Sequence, residues 1–213
     1  MRKLCAMLMV LAFAGVAFAD APIYSGAAVS YEPLDTVDGL RAGVIYSNMT
    51  LSTNYAVTVM GGVVSIDDYD SISTAGPTTQ IEQFKFVGGV ANAGEVLFFT
   101  FYDSASAYVD SFGVQFSQGG NFIWTITLSS PVTVADNGYC QMWADDGSVL
   151  IASTGTWFMT PDAPTVGTTT AFPGYTAGDP PVQLDHKFEM TEVPEPATLA
   201  LLGLGALALI RRR

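Results

Sequence analysis

The sequence has few of the side chains that carry metal and nucleophilic chemistry. It contains one histidine, His186, and two cysteines, Cys5 and Cys140. A single histidine excludes a metal site built from several histidines, although a Ser/His/Asp triad needs only one. No G-x-S-x-G motif is present, and the residues around His186 alternate as in a strand. We therefore expect a surface or loosely packed histidine, with a catalytic role as the alternative.

Basic residues are also scarce, since eight of them stand against twenty acidic residues in a chain of net charge −12. Five of the eight lie near the two ends, so only Arg41, Lys85 and Lys187 occupy the long middle region. Such an acidic surface repels the phosphates of nucleic acids and excludes DNA or RNA as an expected partner. It suits a soluble extracellular protein and could attract divalent cations.

Sustained helical periodicity is absent between residue 20 and about residue 190. Short apolar runs alternate instead with turn residues, and residues 122–128 show the period of two that is typical of a half-buried strand. This pattern predicts an all-β fold, an antiparallel two-sheet β-sandwich that is jelly-roll-like. The predicted strands are 43–49, 55–60, 63–66, 80–87, 96–102, 111–116, 122–128, 139–144, 149–152 and 182–190. Turns are predicted at Gly61–Gly62, Gly88–Gly89, 118–120, Asn137–Gly138 and 145–147, and a long loop at 161–181.

The N-terminal segment has the three parts of a secretory signal peptide. Arg2 and Lys3 precede an apolar core, and Ala17 and Ala19 form an A-x-A cleavage site before Asp20. Removal of residues 1–19 takes Cys5 away and leaves Cys140 as the one cysteine, so no internal disulfide is expected. A small buried hydrophobe is the expected role of Cys140.

The chain therefore divides into four predicted parts. Residues 1–19 are the signal peptide, and residues 20–190 form one extracellular β-sandwich domain with a sizeable core. Residues 191–196 are a proline-stiffened linker. Residues 197–213 form a membrane anchor that ends in an arginine block.

Two sets of side chains are candidate binding residues in the predicted domain. The first comprises the carboxylates of Asp67, Asp68 and Asp70, which are of the type that Ca²⁺ prefers. They lack the alternating oxygen ligands of a complete calcium loop, so a solvated turn is the alternative. No other cofactor is expected.

The second set consists of the three tryptophans, whose rings could stack on sugars of an exopolysaccharide or fill the core of the sandwich. They are Trp124, Trp143 and Trp157. Paired carboxylates for glycan hydrolysis stay open, because twenty acidic residues offer many pairs and the separation that matters is spatial. No glycine-rich loop for phosphate binding is present.

The C-terminal segment combines three signals in a fixed order. Pro194, Glu195 and Pro196 precede an apolar run over 197–210, and Arg211, Arg212 and Arg213 end the chain. As a helix the run would be about 21 Å long, which is short against a hydrocarbon core of roughly 30 Å. Flanking arginines improve the fit and place the C-terminus on the cytoplasmic side.

This order resembles the PEP-CTERM sorting signal of Gram-negative bacteria. The resemblance implies that Pro194, Glu195 and Pro196 are recognised by an exosortase, a transpeptidase-like membrane protease. It also implies that the apolar helix anchors the protein in the membrane, that the arginines stop its transfer, and that cleavage then sends the protein to the cell surface or the extracellular matrix. It covers about 21 residues and says nothing of the central domain.

Three functions remain for that domain. We expect a non-enzymatic surface or matrix protein of structural type. A carbohydrate-binding module for exopolysaccharide is the first alternative and requires exposed, coplanar tryptophans. A secreted glycan hydrolase is the second, and it requires two close carboxylates, or His186 beside a serine, in a cleft.

Overall fold

A computed structural model describes residues 21–34, 43–50, 55–59, 64–144, 154–169, 175–177 and 182–194. Within these residues the chain is all-β and has no α-helix, only a short 3₁₀ turn at Gly26–Ala28. The first seven strands are β1 (Ile23–Tyr24), β2 (Val29–Glu32), β3 (Val44–Ser47), β4 (Tyr55–Val59), β5 (Val64–Asp70), β6 (Thr78–Val90) and β7 (Val96–Asp103). The others are β8 (Tyr108–Gln115), β9 (Gly120–Ala135), β10 (Asn137–Trp143), β11 (Gly155–Thr160), β12 (Tyr175–Ala177), β13 (Val182–His186) and β14 (Phe188–Glu192).

The strands form two sheets. The first sheet has the order β1-β8-β7-β10-β5. In the second sheet the long strand β6 pairs with β9 along one edge and with β14 and β11 along the other, and the remaining strands extend from these partners. All of these pairings are antiparallel except that of β1 with β8. The predicted all-β, two-sheet architecture is confirmed, while the jelly-roll connection pattern stays a prediction.

The two sheets pack face to face through aromatic side chains. Phe84 and Phe86 of β6 alternate with outward residues, and their rings lie 4.8 and 4.9 Å from the ring of Phe99 on β7. Trp157 of β11 meets the same phenylalanine edge-on at 5.8 Å. Burial of these large apolar surfaces is the main favourable term in the folding free energy of such a domain.

Two of the predicted turns lie inside or at the start of strands. Gly88 and Gly89 are part of β6, where that strand pairs with β11 on one side and with β9 on the other. A Cβ at Gly88 would lie 2.0 Å from the carbonyl oxygen of Thr156, so the glycine permits a close approach of backbones. Gly138 lies in β10, and a Cβ there would lie 2.0 Å from the carbonyl oxygen of Tyr102.

The last strand extends beyond its predicted end. Thr191 and Glu192 belong to β14, so the last strand ends two residues beyond residue 190 and takes residues from the predicted linker. The predicted hairpin at 145–147, the strand at 149–152 and the turn at Gly61–Gly62 lie outside the described residues. Within the predicted loop 161–181, residues 175–177 form β12.

Candidate functional sites

One buried polar cluster lies between the sheets, and it is built from two strands. On β5, Ser65 and Asp67 share the inward face with Tyr69, because side chains alternate along a strand. On β13, His186 has the same parity as the core residue Phe188 and also points inward. The three polar residues are buried, with at most 1% of their surface exposed.

The cluster forms a continuous chain of polar contacts. The Oγ of Ser65 lies 2.5 Å from Nε2 of His186, and Nδ1 of His186 lies 3.3 Å from Oδ2 of Asp67. The same carboxylate oxygen accepts a hydrogen bond from the backbone N–H of His186. The Trp157 ring covers the imidazole at a centroid distance of 4.3 Å. His186 is therefore a fully packed residue, and the expected surface or loosely packed histidine was wrong.

The surroundings of the cluster keep neighbouring groups neutral. Burial, and then the charge of Asp67, raises the pKa of the Cys140 thiol well above its usual value. Burial also raises the pKa of the Tyr46 hydroxyl, and nearby carboxylates, Asp67 first among them, raise it further. A thiol with a raised pKa carries little thiolate and is a poor nucleophile. This agrees with the expected role of Cys140 as a small buried hydrophobe.

The order serine, histidine, aspartate is the order that acyl transfer requires. A hydrolase also needs space for a substrate carbonyl about 3 Å from the serine oxygen and donors for the oxyanion. Ser65 and His186 have no exposed surface, so the cluster as it stands is a hydrogen-bonded link between the two sheets. Nothing in the sequence near residue 65 could have indicated it, because its partner lies 121 positions away.

A second buried polar group lies on the outer side of β6 and β14. Lys85 pairs with Glu189 at 3.8 Å, and the Ser47 hydroxyl donates a 2.9 Å hydrogen bond to the other oxygen of that carboxylate. Lys85 alternates with the core residues Phe84 and Phe86 along β6 and pairs with Glu189 of β14, so its side chain lies on the opposite face of the strand. Its burial depends on contacts distant in sequence, which the pattern could not indicate.

The structure does not bring the three predicted calcium ligands together. Asp67 points into the core, whereas Asp68 and Asp70 have the opposite parity on β5. The segment is a paired strand rather than the solvated turn that was the alternative, since Asp67, Asp68 and Asp70 face Cys140, Tyr139 and Asn137 of β10. Within the described part of the chain, no group of three His, Cys, Asp or Glu residues is arranged to hold a metal ion.

The predicted tryptophan platform is not formed either. Trp124 and Trp157 are fully buried in the core, and their indole N–H groups donate to the backbone oxygens of Gly88 and Lys187. Trp143 belongs to a separate small cluster with Val96 and Phe98. Of the two roles considered for the tryptophans, the structure shows the second, because these rings fill the interior.

A third region lies where the last strand leaves the sheet. Glu192 ends β14, and its carboxylate accepts hydrogen bonds from Ser73 at 3.0 Å and Thr79 at 3.5 Å. The backbone N–H of Val193 donates to the oxygen of Gln80 at 2.8 Å, and Pro194 follows on the surface. We call this region the C-terminal junction. The chain is thus held to the sheet as far as Val193, one residue beyond the end of β14.

An open groove of about 410 Å³ borders the C-terminal junction. Its walls come mainly from the start of β6 and carry hydroxyl and amide groups. The lining residues are Ala75, Thr78, Thr79, Gln80, Thr133, Val193 and Pro194.

Carboxylates surround the same end of the domain. Burial raises the pKa of Asp136, and the charges of Glu192 and Asp70 raise it further. The backbone N–H of Asp136 donates to the oxygen of Pro77, which places this residue beside the loop that leads into the groove. The groove therefore lies in a negative electrostatic field.

Comparison with known proteins identifies the segment that starts at this junction. A family model described as the PEP-CTERM protein-sorting motif matches residues 192–213. The chain carries a PEP-CTERM sorting signal. The signal marks it for export and for surface or extracellular localisation, with an exosortase as the processing enzyme. Neither the curated proteins nor the solved structures contain a match, so the central domain has no recognised relative among them.

The matched segment begins inside the folded domain. Its first residue, Glu192, is the last residue of β14, and Pro194 is the last described residue of the proline motif. Glu195, Pro196, the apolar run, Arg211 to Arg213 and the cleavage residues Ala17 and Ala19 lie outside the described part of the chain. In the described residues, no helix has the length and apolar character that crossing a membrane requires.

Proposed function

We propose that this chain is a non-enzymatic structural protein of the cell surface or extracellular matrix. Its C-terminal helix holds it in the membrane until an exosortase cleaves the tail near Pro194, Glu195 and Pro196. The observation that carries the proposal is the match of residues 192–213, which begins where the last strand of the domain ends. The acidic composition supports release into an extracellular medium.

Deletion of the exosortase gene in a bacterium that produces both proteins tests this proposal. We expect the shortened form to disappear from the extracellular fraction and the full-length chain to accumulate in the membrane fraction. Restoring the gene should reverse both changes. Release of an equally short form in the deletion strain would contradict the proposal.

The non-enzymatic part of the proposal rests on the closure of the Ser65–His186–Asp67 cluster. A fluorophosphonate reagent reacts with activated serines that it can reach. We expect no labelling of Ser65 in the folded protein, because neither Ser65 nor His186 has exposed surface. Labelling that Ser65→Ala abolishes would instead favour the hydrolase alternative.

One observation favours exopolysaccharide binding as a second candidate function. Tyr31 is 42% exposed, its ring lies 4.9 Å from that of Phe122, and its hydroxyl donates to the Gln118 side chain at 2.9 Å. An exposed ring beside an amide is suited to stack on a sugar and to bond its hydroxyls.

Affinity for the exopolysaccharide of the producing bacterium tests the second candidate. Tyr31→Ala should weaken binding about tenfold, the change that removal of a stacking ring worth roughly 1.5 kcal/mol produces. Tyr108 is 44% exposed on a different strand, so Tyr108→Ala is the matched control. Equal binding by the protein and both variants, or equal loss in both, would remove this candidate.

A further inference from the structure

The C-terminal junction leaves very little chain between the folded domain and the predicted membrane anchor. Val193 is held to Gln80 by a backbone hydrogen bond, and the apolar run begins at Ala197. Three residues separate them, so the two positions can be no more than about 14 Å apart even in a fully extended chain. The proline motif is therefore confined to the immediate vicinity of this end of the domain.

An enzyme that cleaves the tail at this motif cannot avoid the surface of the domain. A protease that binds several residues around its cleavage site needs more extended chain than the three residues between Val193 and Ala197 provide. Val193 and Pro194 themselves line the groove, so it directly adjoins the start of the motif. The opposite end of β6, at Gly89, lies about 30 Å away at 3.3 Å per residue.

The chemistry of the groove favours a particular kind of contact. Thr78, Gln80 and Thr133 offer hydroxyl and amide groups that can donate and accept hydrogen bonds. Glu192 and Asp136 add negative charge beside the groove, and none of the described residues that line it is basic. A partner surface with basic and hydrogen-bonding side chains is complementary to this arrangement.

We propose that the groove is a second contact site for the exosortase, which binds it through a basic, polar surface while the proline motif occupies the active site. This inference rests on the proposed function, because it requires that the tail is processed. It adds a recognition surface on the domain itself. Processing then depends on the folded state of β6 and β14 as well as on the residues of the motif.

The test is a pulse-chase measurement of tail removal from the full chain in an exosortase-producing bacterium. In Thr78→Lys/Gln80→Lys, two exposed residues of the groove become cationic and repel a basic partner. We expect processing to slow on the order of tenfold, the lower end of the range over which charge steers association. Near-ultraviolet circular dichroism of the purified full chain should stay the same as that of the unaltered protein, since both side chains face solvent.

The matched control is Ser117→Lys/Asn121→Lys, which adds the same charge to exposed positions at the other end of the domain. We expect the control to be processed at the rate of the unaltered chain. Unchanged processing of the groove variant would overturn the inference, and so would equal slowing of both variants. If the unaltered chain is not shortened at all, the proposed function itself is wrong. If the unaltered chain and both variants are all shortened at the normal rate, only the proposed contact at the groove is wrong.

Discussion

Carboxylates lie in opposite environments near the two ends of β6, buried at one end and solvent-accessible at the other. At the C-terminal end, β6 is enclosed by β9 and β11, and the nearby strand β13 carries His186, which holds Asp67 inside the core. At the N-terminal end, Thr78 and Gln80 face solvent, and the carboxylates around them repel one another. The first environment stabilises the fold, and the second leaves polar surface available for a partner.

Removal of Asp67 should have the largest effect. In Asp67→Ala the backbone N–H of His186 loses its acceptor inside the core, and the ring loses the carboxylate oxygen that lies 3.3 Å from Nδ1, which should cost about 3 kcal/mol of unfolding free energy. Asp70→Ala should cost less than about 1 kcal/mol, because the Asp70 side chain is half-exposed and its carboxylate accepts a long 3.5 Å hydrogen bond from the Thr168 hydroxyl. Guanidinium chloride unfolding measures both values. Similar losses of unfolding free energy in the two variants would contradict a particular contribution of the buried cluster to stability.

A methyl group at Gly88 should have the next largest effect. Its Cβ would lie 2.0 Å from the backbone oxygen of Thr156, so Gly88→Ala should lose about 2 to 3 kcal/mol through displaced strands. The control is Gly76→Ala, in the loop near the C-terminal junction. Gly76 has a φ of 128° and no atom within 4 Å of the added methyl group, so its cost should be about 1 kcal/mol and only conformational. A smaller loss at Gly88 than at Gly76 would contradict the close approach of β6 and β11.

The closure of the core should also be visible as low thiol reactivity. Burial and the charge of Asp67 raise the pKa of Cys140, so its reactive thiolate is scarce at pH 8 and the reagent cannot reach it. We expect iodoacetamide to label Cys140 at least about a hundredfold faster in denaturant than in the native protein. Equal labelling rates would show that the core opens readily.

The smallest effect is expected at Asp136. The pKa of the Asp136 carboxyl is raised in the folded state, so the folded protein binds this proton more tightly than the unfolded chain does. The stability that this contributes is fully present at pH values below the ordinary pKa of Asp, and it is lost as the pH rises through the raised pKa. At pH 7, Asp136→Asn should therefore stabilise the protein, by no more than about 0.5 kcal/mol because water screens the half-exposed charges. Thermal unfolding at pH 7 should show a higher Tm for the variant, and added salt should reduce the difference. Destabilisation at pH 7 would contradict repulsion at this end.

Alternation and turn chemistry were sufficient to predict most strands of the fold. Residues 122–128 predicted part of β9 through their alternation, and the short apolar run at 96–102 predicted part of β7, which is buried on both faces. Gly88 was misplaced because glycine serves both tight turns and close backbone approach, and the second use depends on Thr156, far along the chain. Asp67 was misplaced because a run of carboxylates is typical of exposed turns, and its burial depends on His186.

The candidate sites also divide into those that a local motif predicts and those that depend on distant residues. Pro194 and its neighbours form a local motif, so the sequence alone predicted the sorting signal that the family comparison confirms. The Ser65–His186 contact and the groove beside Gln80 arise only when distant segments meet, and no local pattern indicates them.

Mass spectrometry of the C-terminal peptide of the extracellular protein shows directly whether the tail is removed at the junction. We expect a C-terminus within or next to Pro194, Glu195 and Pro196, with residues 197–213 absent. A C-terminal peptide that ends at Arg213 in the extracellular form would contradict processing at the junction.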